Sequence, residues 1–285
     1  MIKVSYLVSY DYAMLHTSVK QLYDNVEKIV IAIDKNRKTW GGNSFDIPQS
    51  FFDEVKQFDL KNKIEFYFDN FYLPELTPME NETRERNMVL AKLGRGWKIQ
   101  LDVDEYIYDF KSVAKYLKKY WYLTLFPKFT PVCITGKLVT LFKKTNTGFL
   151  FIDNNEHFPF ITNQGFNTYL RNNLRIKNHY SNISVIHQSW AREENDIIMK
   201  VKNWGHRDDF DTIDYINFWK KLDESNFNNI FNFHPLVPKV WQKLEFIEAK
   251  TINEFIDKYS SLNKQKLIPI LIKSQMKALT NKFFK

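Results

Sequence analysis

The sequence of 285 residues predicts an α/β fold, with a mostly parallel sheet flanked by helices. Short apolar runs alternate with amphipathic helical patterns over the first 110 residues, and this alternation is typical of strand–helix–strand units that build a parallel sheet. Polar residues follow each of the four apolar runs. A hydrophobic content of 44% and a charged content of 26% are ordinary for a globular protein of this length.

Each element of the first half has its own pattern. Residues 2–9 read as a buried strand, and residues 13–25 as a helix because Leu15, Val19 and Leu22 fall on one face. The elements that follow are a strand at 28–33, a helix at 47–58, a strand at 64–68, a helix at 82–94 and a strand that begins at Trp97. Beyond residue 110 the pattern weakens, and it predicts a helix at 110–122, strands at 139–144 and 183–186, and a helix at 214–222. We expect residues 1–237 to form the main domain and residues 238–285 a helical C-terminal extension.

The predicted strand ends share one property: each is followed by a polar side chain. These residues are Tyr10 and Asp11, Asp34, Asp69, and the pair Asp102 and Asp104. A single Asp after a strand is most often a turn former. Ligands of parallel α/β sheets bind at the carboxyl ends of the strands, so four polar ends on one edge predict a binding site there.

The segment from Trp97 to Glu105 contains the sharpest motif, an Asp-x-Asp pair followed by a third acid. Residues i and i+2 of a strand lie on the same side, so Asp102 and Asp104 are expected to point at one ligand. Two adjacent carboxylates repel each other unless a cation or a proton lies between them. Oxygen ligands suit Mg²⁺ or Mn²⁺, which usually keep open positions for phosphate oxygens.

The segment before this motif is a predicted helix with Arg84, Arg86 and Asn87 in its early turns, followed by a Gly-x-Gly turn. The order of helix, Gly-x-Gly turn, strand and Asp-x-Asp resembles the nucleotide-sugar half of GT-A glycosyltransferases, especially family 2. The resemblance covers residues 1–110. It implies a Rossmann-like GT-A domain, with residues 1–110 as the nucleotide-sugar-binding half and residues 111–237 as the acceptor half.

The resemblance also implies roles for individual residues. Tyr10 would line the base pocket, Asp34 would contact base or ribose, and Arg84 and Arg86 would stand near the nucleotide. Asp102 would face ribose and metal, and Asp104 would bind the metal. The first family signature, Asn-Glu after the first strand and a later Asp-Asp-Gly-Ser, is missing, and this departure leaves the donor base open.

Two late histidines are further candidates. His187 directly follows a predicted strand, and His206 lies in a loop-like segment rich in Trp and charged residues. Many GT-A enzymes place a late histidine at the metal or the diphosphate, so the resemblance suggests either one as a third ligand for Mn²⁺. A structural role is the alternative for both, and for His206 this alternative is a capped loop before the next helix.

No clear motif for a catalytic base is present. Glu156 is the first candidate and Asp153 the second, and for both the alternative is an ordinary polar loop. Inverting members of the family use a carboxylate to deprotonate the acceptor hydroxyl. Without a firm base, inverting and retaining stereochemistry both remain open.

These observations predict a metal-dependent glycosyltransferase that moves a sugar from a nucleotide-diphosphate sugar to a hydroxyl of a glycan or glycoconjugate. A nucleotidyltransferase of similar fold is one alternative, although residues 9–13 lack the Gly-rich, basic loop usual in those enzymes. A non-catalytic sugar- or nucleotide-binding relative is another. P-loop, dinucleotide, zincin and serine-hydrolase motifs are absent from the sequence.

Charge and composition limit the kinds of partner and the cellular compartment that the sequence predicts. A net charge of +8 suggests an anionic partner, and no zinc-finger, RNA-recognition or basic-arm signature indicates nucleic acid. Cys133 is the single cysteine, so an internal disulfide is excluded. No apolar run approaches the ~20 residues that span a bilayer, and we expect a cytoplasmic protein. The tail at 264–285 mixes lysines with apolar residues and has no acid. It is expected either to lie peripherally on an anionic membrane or to pack as ordinary helices.

Overall fold

The computed structural model describes residues 1–153, 156–203 and 209–270. The strands are β1 (Ile2–Leu7), β2 (Lys28–Asp34), β3 (Ile64–Asp69), β4 (Trp97–Asp102), β5 (Glu105–Tyr106), β6 (Cys133–Lys144), β7 (Gly148–Ile152), β8 (His157–Thr162), β9 (Asn178–His187) and β10 (Glu245–Glu248). The α-helices are α1 (Leu15–Leu22), α2 (Gln49–Phe58), α3 (Pro78–Leu93), α4 (Phe110–Lys119), α5 (Glu194–Asn203), α6 (Thr212–Lys221) and α7 (Ile252–Leu262). Every element predicted before residue 237 has a counterpart among them.

All ten strands belong to one sheet, whose main path runs β10-β7-β6-β8-β4-β1-β2-β3. β9 lies off this path and pairs with β5 and β6. Pairing is parallel throughout β4-β1-β2-β3 and between β6 and β9. It is antiparallel for β8 with β4 and β6, for β7 with β6 and β10, and for β5 with β9. With helices on its faces, this sheet confirms the predicted α/β class.

The first half of the sheet is covered on both faces, as its strand composition requires. Strands buried on both sides read as continuous apolar runs, and β2 is such a run. One face packs against α1, α2 and α4 in a single cluster of buried residues. Val89, Leu90 and Leu93 of α3 cover Val30 and Ala32 on the opposite face.

Helix α3 is fixed at both ends by its sequence. Thr77 and Glu80 form a reciprocal capping box, and Pro78 occupies the first turn, where no backbone donor is needed. The helix ends at Gly94, and the chain turns into β4 through Gly96, whose φ is +116°. A Cβ at Gly96 would lie 2.8 Å from the carbonyl oxygen of Met1, so this turn requires glycine.

The second half of the sheet differs from the first, because it includes a strand that the sequence did not predict. The segment after residue 237 is not purely helical, because β10 pairs antiparallel with β7 at the edge of the sheet. Helix α7 then packs Phe255, Ile256 and Tyr259 against Phe149 and Phe151 of β7. A four-residue strand carries too little period-2 signal to be recognised from sequence.

The chain after α7 runs along β9. The backbone N–H of Ile268 donates to the carbonyl of Ser181, and Gln265 accepts from the N–H of Ser184 and donates to its carbonyl. Residues 271–285, which make up most of the predicted basic tail, lie outside the described residues. None of the helices in the described ranges is long and apolar enough to cross a membrane.

Candidate functional site

A cavity of about 330 Å³ opens at the carboxyl ends of β1, β2 and β4, the edge at which the sequence predicts a site. Its volume falls in the range of small-molecule sites, roughly 300–1,000 Å³. The residues that line it are Leu7, Val8, Ser9, Tyr10, Asp11, Asp34, Lys38, Thr39, Trp40, Phe45, Pro78, Met79, Glu82, Glu85, Asp102, Asp104, Leu170, His187, Arg192 and Lys200. Of the predicted site residues, Tyr10, Asp34, Asp102, Asp104 and His187 are therefore brought together.

The cavity has two ends. The end beyond β2, here called the Trp40 end, is formed by Lys38, Thr39, Trp40, Phe45 and Glu85. The end beyond β4, here called the Asp104 end, is formed by Asp102, Asp104, His187, Arg192 and Lys200. Because β1 lies between β2 and β4 in the sheet, the two ends are about 10 Å apart.

Asp34, at the wall of the Trp40 end, is buried and holds the backbone of two loops. Its Oδ1 accepts the N–H groups of Asn36 (2.8 Å) and Lys38 (3.2 Å), and its Oδ2 accepts those of Phe71 (2.9 Å) and Tyr72 (3.1 Å). A carboxylate offers about four lone-pair sites, so these four donors fill it. Asp34 thus shapes the cavity wall, and the geometry gives no support to its predicted contact with a base or ribose.

Glu85 is an unexpected feature of the Trp40 end. It projects from α3, is only 6% exposed, and accepts a 2.6 Å hydrogen bond from the indole Nε1 of Trp40. Burial raises the pKa of Glu85 to about 8, and the Trp40 bond and nearby Arg86 only partly oppose this. Near neutral pH this carboxyl is therefore mostly protonated, and it presents a neutral acid to the cavity.

The Asp-x-Asp pair meets at the cavity through a turn and not through strand alternation. β4 ends at Asp102, Val103 and Asp104 form the turn, and β5 resumes at Glu105. The turn is tied by the backbone N–H of Asp102, which donates to the Glu105 side chain at 3.0 Å. Asp102 and Asp104 both line the cavity, and the turn places them there, not the strand alternation on which the prediction rested.

Asp102 lies between two arginines. Its Oδ1 accepts from Arg86 at 2.9 Å, and its Oδ2 is hydrogen-bonded to Arg171, which also holds both oxygens of Glu105. Burial on its own would raise the pKa of Asp102, but Arg171 and Arg86 outweigh it and lower the pKa. Both oxygens of Asp102 are therefore engaged by protein cations.

Asp104 is surrounded by a second set of basic side chains. Its Oδ2 accepts from Arg192, lies 3.3 Å from Nε2 of His187 and lies 3.9 Å from Nζ of Lys200. Burial opposes ionisation, but His187 and Arg192 hold the pKa of Asp104 well below its usual range. Arg192 also reaches the carboxylate of Asp11 at 3.7 Å.

Lys200 is the least engaged cation of this group. Its separation of 3.9 Å from Asp104 exceeds the 2.7–2.9 Å of a charge-assisted hydrogen bond. Burial, and then repulsion from Arg192, lower its pKa. A cation in this state gains from an added anion, so the Asp104 end can accept a phosphate-like group.

The donors for a metal ion are few. Within the ranges that the structure describes, no group of three or more His, Cys, Asp or Glu residues is placed to hold a metal. Asp104 and His187 do meet, and a carboxylate with an imidazole is a donor pair that Mn²⁺ accepts. Such a pair fits an ion that completes its shell with substrate oxygens and water.

Four predicted residues lie away from the cavity. Arg84, in α3, donates to the carbonyls of Asn70 (2.6 Å) and Phe71 (2.8 Å) and so holds the loop after β3. Arg86 is 2% exposed and reaches the cavity through the lining residues Asp102 and Glu82. The two candidate bases, Asp153 and Glu156, are not among the lining residues either.

Asp153 and Glu156 line a different pocket, together with residues around β10. Asp153 accepts from the hydroxyl of Tyr259 at 2.6 Å, and Glu156 accepts from the indole of Trp241 at 3.1 Å. Neither residue lines the cavity at the carboxyl ends of β1, β2 and β4. The structure thus does not bring either of them to the Asp-x-Asp pair.

His206 falls outside the described residues. Sequence reasoning missed Glu85, Arg171 and Lys200 as members of the site. Arg171 and Lys200 reach it from a loop and from α5, at distances of 69 and 96 residues from Asp102 and Asp104, so no local pattern indicates them. The sequence signal for Glu85 is its spacing of four and eight residues before Val89 and Leu93, which places an acid on the buried face of α3.

Comparisons with known proteins give limited information. No protein-family model and no curated protein matches the sequence. The S. aureus TarS 1-349 crystal structure aligns with 51% of this chain and 40% of that chain, at 15% identity and a TM-score of 0.32. CMP:2-keto-3-deoxy-manno-octonic acid synthetase, complexed with CTP, aligns with 70% of this chain and 96% of that chain, at 11% identity and a TM-score of 0.32. The chain spans well under two thirds of the TarS structure, and scores of this size carry no argument about function.

Proposed function

We propose that the chain is a glycosyltransferase that uses a nucleotide-diphosphate sugar and transfers the sugar to a hydroxyl of a glycan or glycoconjugate. One observation carries this proposal. A single cavity at the carboxyl edge of the sheet joins an aromatic end around Trp40 to an end where Asp104 lies among Arg192, His187 and Lys200. A nucleoside suits the first end and a diphosphate suits the second.

The Trp40 end would bind the nucleoside. Trp40 and Phe45 offer ring faces, and stacking of a base on an aromatic ring contributes about 1–3 kcal/mol. The protonated carboxyl of Glu85 can donate a hydrogen bond to a carbonyl of the base. Asp34 contributes by fixing the loops that carry Lys38 and Tyr72.

The Asp104 end would bind the diphosphate. Lys200 donates to phosphate oxygens, and Arg192 adds positive charge where the leaving group becomes more negative. Arg86 and Arg171 keep Asp102 ionised and fixed in place. Neither Asp153 nor Glu156 is part of this proposal, because both lie outside the cavity.

We include a divalent cation, Mn²⁺ or Mg²⁺, in the proposal. Asp104 and His187 would hold it, with the remaining positions filled by diphosphate oxygens and water. The ion would supply Lewis-acid stabilisation of the departing diphosphate. His206 is a further candidate ligand that the structure does not describe.

The test compares two lysines that line opposite ends of the same cavity. Binding of UDP, GDP, CDP and ADP, and of the matching nucleosides, is measured by calorimetry with Mn²⁺ for wild type, Lys200→Gln and Lys38→Gln. We expect Lys200→Gln to weaken diphosphate binding by about 10–100-fold, the size of a lost charge-assisted hydrogen bond, and to leave nucleoside binding unchanged. Lys38→Gln is the matched control and should leave the preference for diphosphate over nucleoside unaltered.

The same panel separates the rival functions. Slow release of sugar from a nucleotide sugar supports the transferase. Pyrophosphate release from a nucleoside triphosphate and a sugar would instead indicate a nucleotidyltransferase, and binding without either reaction would indicate a binding protein. Equal affinities of wild type and Lys200→Gln for every diphosphate would contradict the proposed phosphate end.

A further inference from the structure

We propose that the loop after α4 is a docking surface for an anionic membrane, separate from the cavity. Five large apolar side chains within nine residues form this surface, here called the aromatic patch: Trp121, Tyr122, Leu125, Phe126 and Phe129. Their exposed fractions run from 38% for Tyr122 to 66% for Phe126. Large apolar residues clustered in this way mark an interaction site more often than a random surface.

The loop that carries the aromatic patch is fixed to the rest of the fold. Leu123, in the middle of the loop, is buried and anchors it. The side-chain amide of Asn163 donates to the carbonyls of Leu123 and Thr130, each at 2.7 Å, and that of Gln164 donates to the carbonyl of Pro127 at 2.7 Å. These three bonds tie the loop backbone at both of its sides and so fix the backbone path that carries the aromatic side chains.

Charge identifies the partner. Residues 110–152 contain eight lysines and no acid, and residues 157–192, which supply Asn163 and Gln164, contain no acid either. Lys118, Lys119 and Lys128 flank the patch and are exposed. Lysines beside aromatic rings suit the boundary between headgroups and acyl chains, where anionic lipids attract the ammonium groups and the rings enter the interface.

Two other occupants fit less well. Lysine is depleted in protein–protein interfaces, whereas three lysines border this patch. A second copy of the chain would place these lysines against one another, and no acid from residues 110–152 or 157–192 would compensate. Like charges brought together in this way oppose association.

The position of the patch makes it separable from the proposed site. Asn163 follows Thr162, which pairs with Lys98 near the beginning of β4, whereas the cavity lies at the other end of β4. The four residue steps from Lys98 to Asp102 span about 13 Å. Substitutions in the patch should therefore leave nucleotide binding unchanged, and failure of the proposed function would leave this proposal intact.

The experiment is co-sedimentation of the full chain with phosphatidylcholine vesicles, with and without phosphatidylglycerol. We expect wild type to bind the anionic vesicles and salt to weaken the binding. The triple variant Trp121→Ser, Phe126→Ser, Phe129→Ser should stay in the supernatant. Substituting Lys118, Lys119 and Lys128 by Gln should lower the partition coefficient on the order of 100-fold at low salt, since each lysine near the surface contributes roughly fivefold.

Matched controls use residues of the same type elsewhere. Leu60, Ile213 and Leu262 are more exposed than the patch residues, and their triple Ser variant should bind like wild type. The exposed Lys20, Lys56 and Lys239, changed together to Gln, control for net charge. All variants are checked by circular dichroism, and the two Gln variants remain informative if the Ser variant does not fold.

Three results would overturn the proposal. Binding that survives the patch substitutions but disappears on deletion of residues 271–285 would assign the membrane contact to the tail alone. An equal loss of vesicle binding in the patch lysine variant and the control lysine variant would show that net charge, and not the patch, causes the binding. A wild-type dimer that the Ser variant converts to a monomer, with no vesicle binding by either, would make the patch a self-association surface.

Discussion

The two ends of the cavity both contain buried carboxylates, but they satisfy them in different ways. At the Trp40 end, Asp34 accepts four backbone N–H groups. At the Asp104 end, Asp102 and Asp104 accept from the side chains of Arg86, Arg171 and Arg192. Backbone donors cannot leave without refolding a loop, whereas a guanidinium can move when a new ligand arrives. The backbone bonds to Asp34 are therefore suited to hold the cavity wall in place. The arginine contacts of Asp102 and Asp104 can be replaced by contacts with a substrate or an ion.

The largest expected effect is on stability at the Trp40 end. Asp34→Ala leaves four backbone N–H groups without their acceptor, and we expect it to lower the free energy of unfolding by about 3–5 kcal/mol. Urea denaturation measures this loss. Asp69→Asn is the matched control, because Asp69 ends the neighbouring strand and pairs in register with Asp34 but accepts from a single backbone N–H. A loss as large in the control would show that the backbone bonds are not the cause.

The next effect separates activity from stability at the Asp104 end. Asp104→Asn should reduce sugar transfer by about 10²–10³-fold, the size expected when one preorganised electrostatic contact is lost, while the fold is retained. Initial rates at saturating donor measure it. His187→Gln should raise the Mn²⁺ concentration required for half-maximal rate. Transfer by Asp104→Asn at the wild-type rate, or a Mn²⁺ titration of His187→Gln that overlays wild type, would remove the ion from the proposal.

The smallest effect is a pH dependence that originates at Glu85. The pKa of Glu85 is raised in the folded chain to about 8, so its stabilising contribution is complete below the pKa of the unfolded chain, about 4.5, and is lost as pH rises through 8. Between pH 6 and pH 8 this amounts to about 2 kcal/mol. Unfolding free energies across this range should fall less for Glu85→Gln than for wild type.

A second variant sharpens the same test. The Trp40 bond lowers the pKa of Glu85, so Trp40→Phe should move the loss of stability to higher pH. Parallel pH profiles for wild type and Glu85→Gln would show that another group is responsible. A profile of Trp40→Phe displaced to lower pH would contradict the role given to this hydrogen bond.

How far sequence could predict the molecule differs between its two halves. Strands β1, β2 and β4 are buried on both faces, so their apolar runs are clear in the sequence. Helix α3 is indicated by Thr77, Pro78 and Gly94 at its ends. Strands β7, β8 and β10 are four to six residues long and β7 reads as one apolar run, which cannot be distinguished from a helical core segment. Strand β10, within the segment predicted to be helical after residue 237, was not predicted for this reason.

The site shows the same division. Asp102 and Asp104 were predictable because the motif and the strand end coincide. Their partners Arg171, Arg192 and Lys200 come from loops and α5, and only the pairing of β9 with β5 and β6 places these segments beside β4. The position of Asp34 at the end of β2 was predictable from the sequence. Its bonds to the backbone N–H groups of Phe71 and Tyr72 were not, because they depend on the course of the loop after β3.

The order of strands in the sheet has a consequence for the time course of folding. As the chain is synthesised, residues 1–110 emerge first, and they can pair β1 with β2 and β4 through contacts of modest sequence separation. At that stage Asp102 and Asp104 have Arg86 nearby but neither Arg171 nor Arg192. The two carboxylates acquire their remaining counterions only after β9 docks on β6. Nucleotide binding should thus appear late in refolding, after most of the sheet has formed, and it would report the last step of assembly.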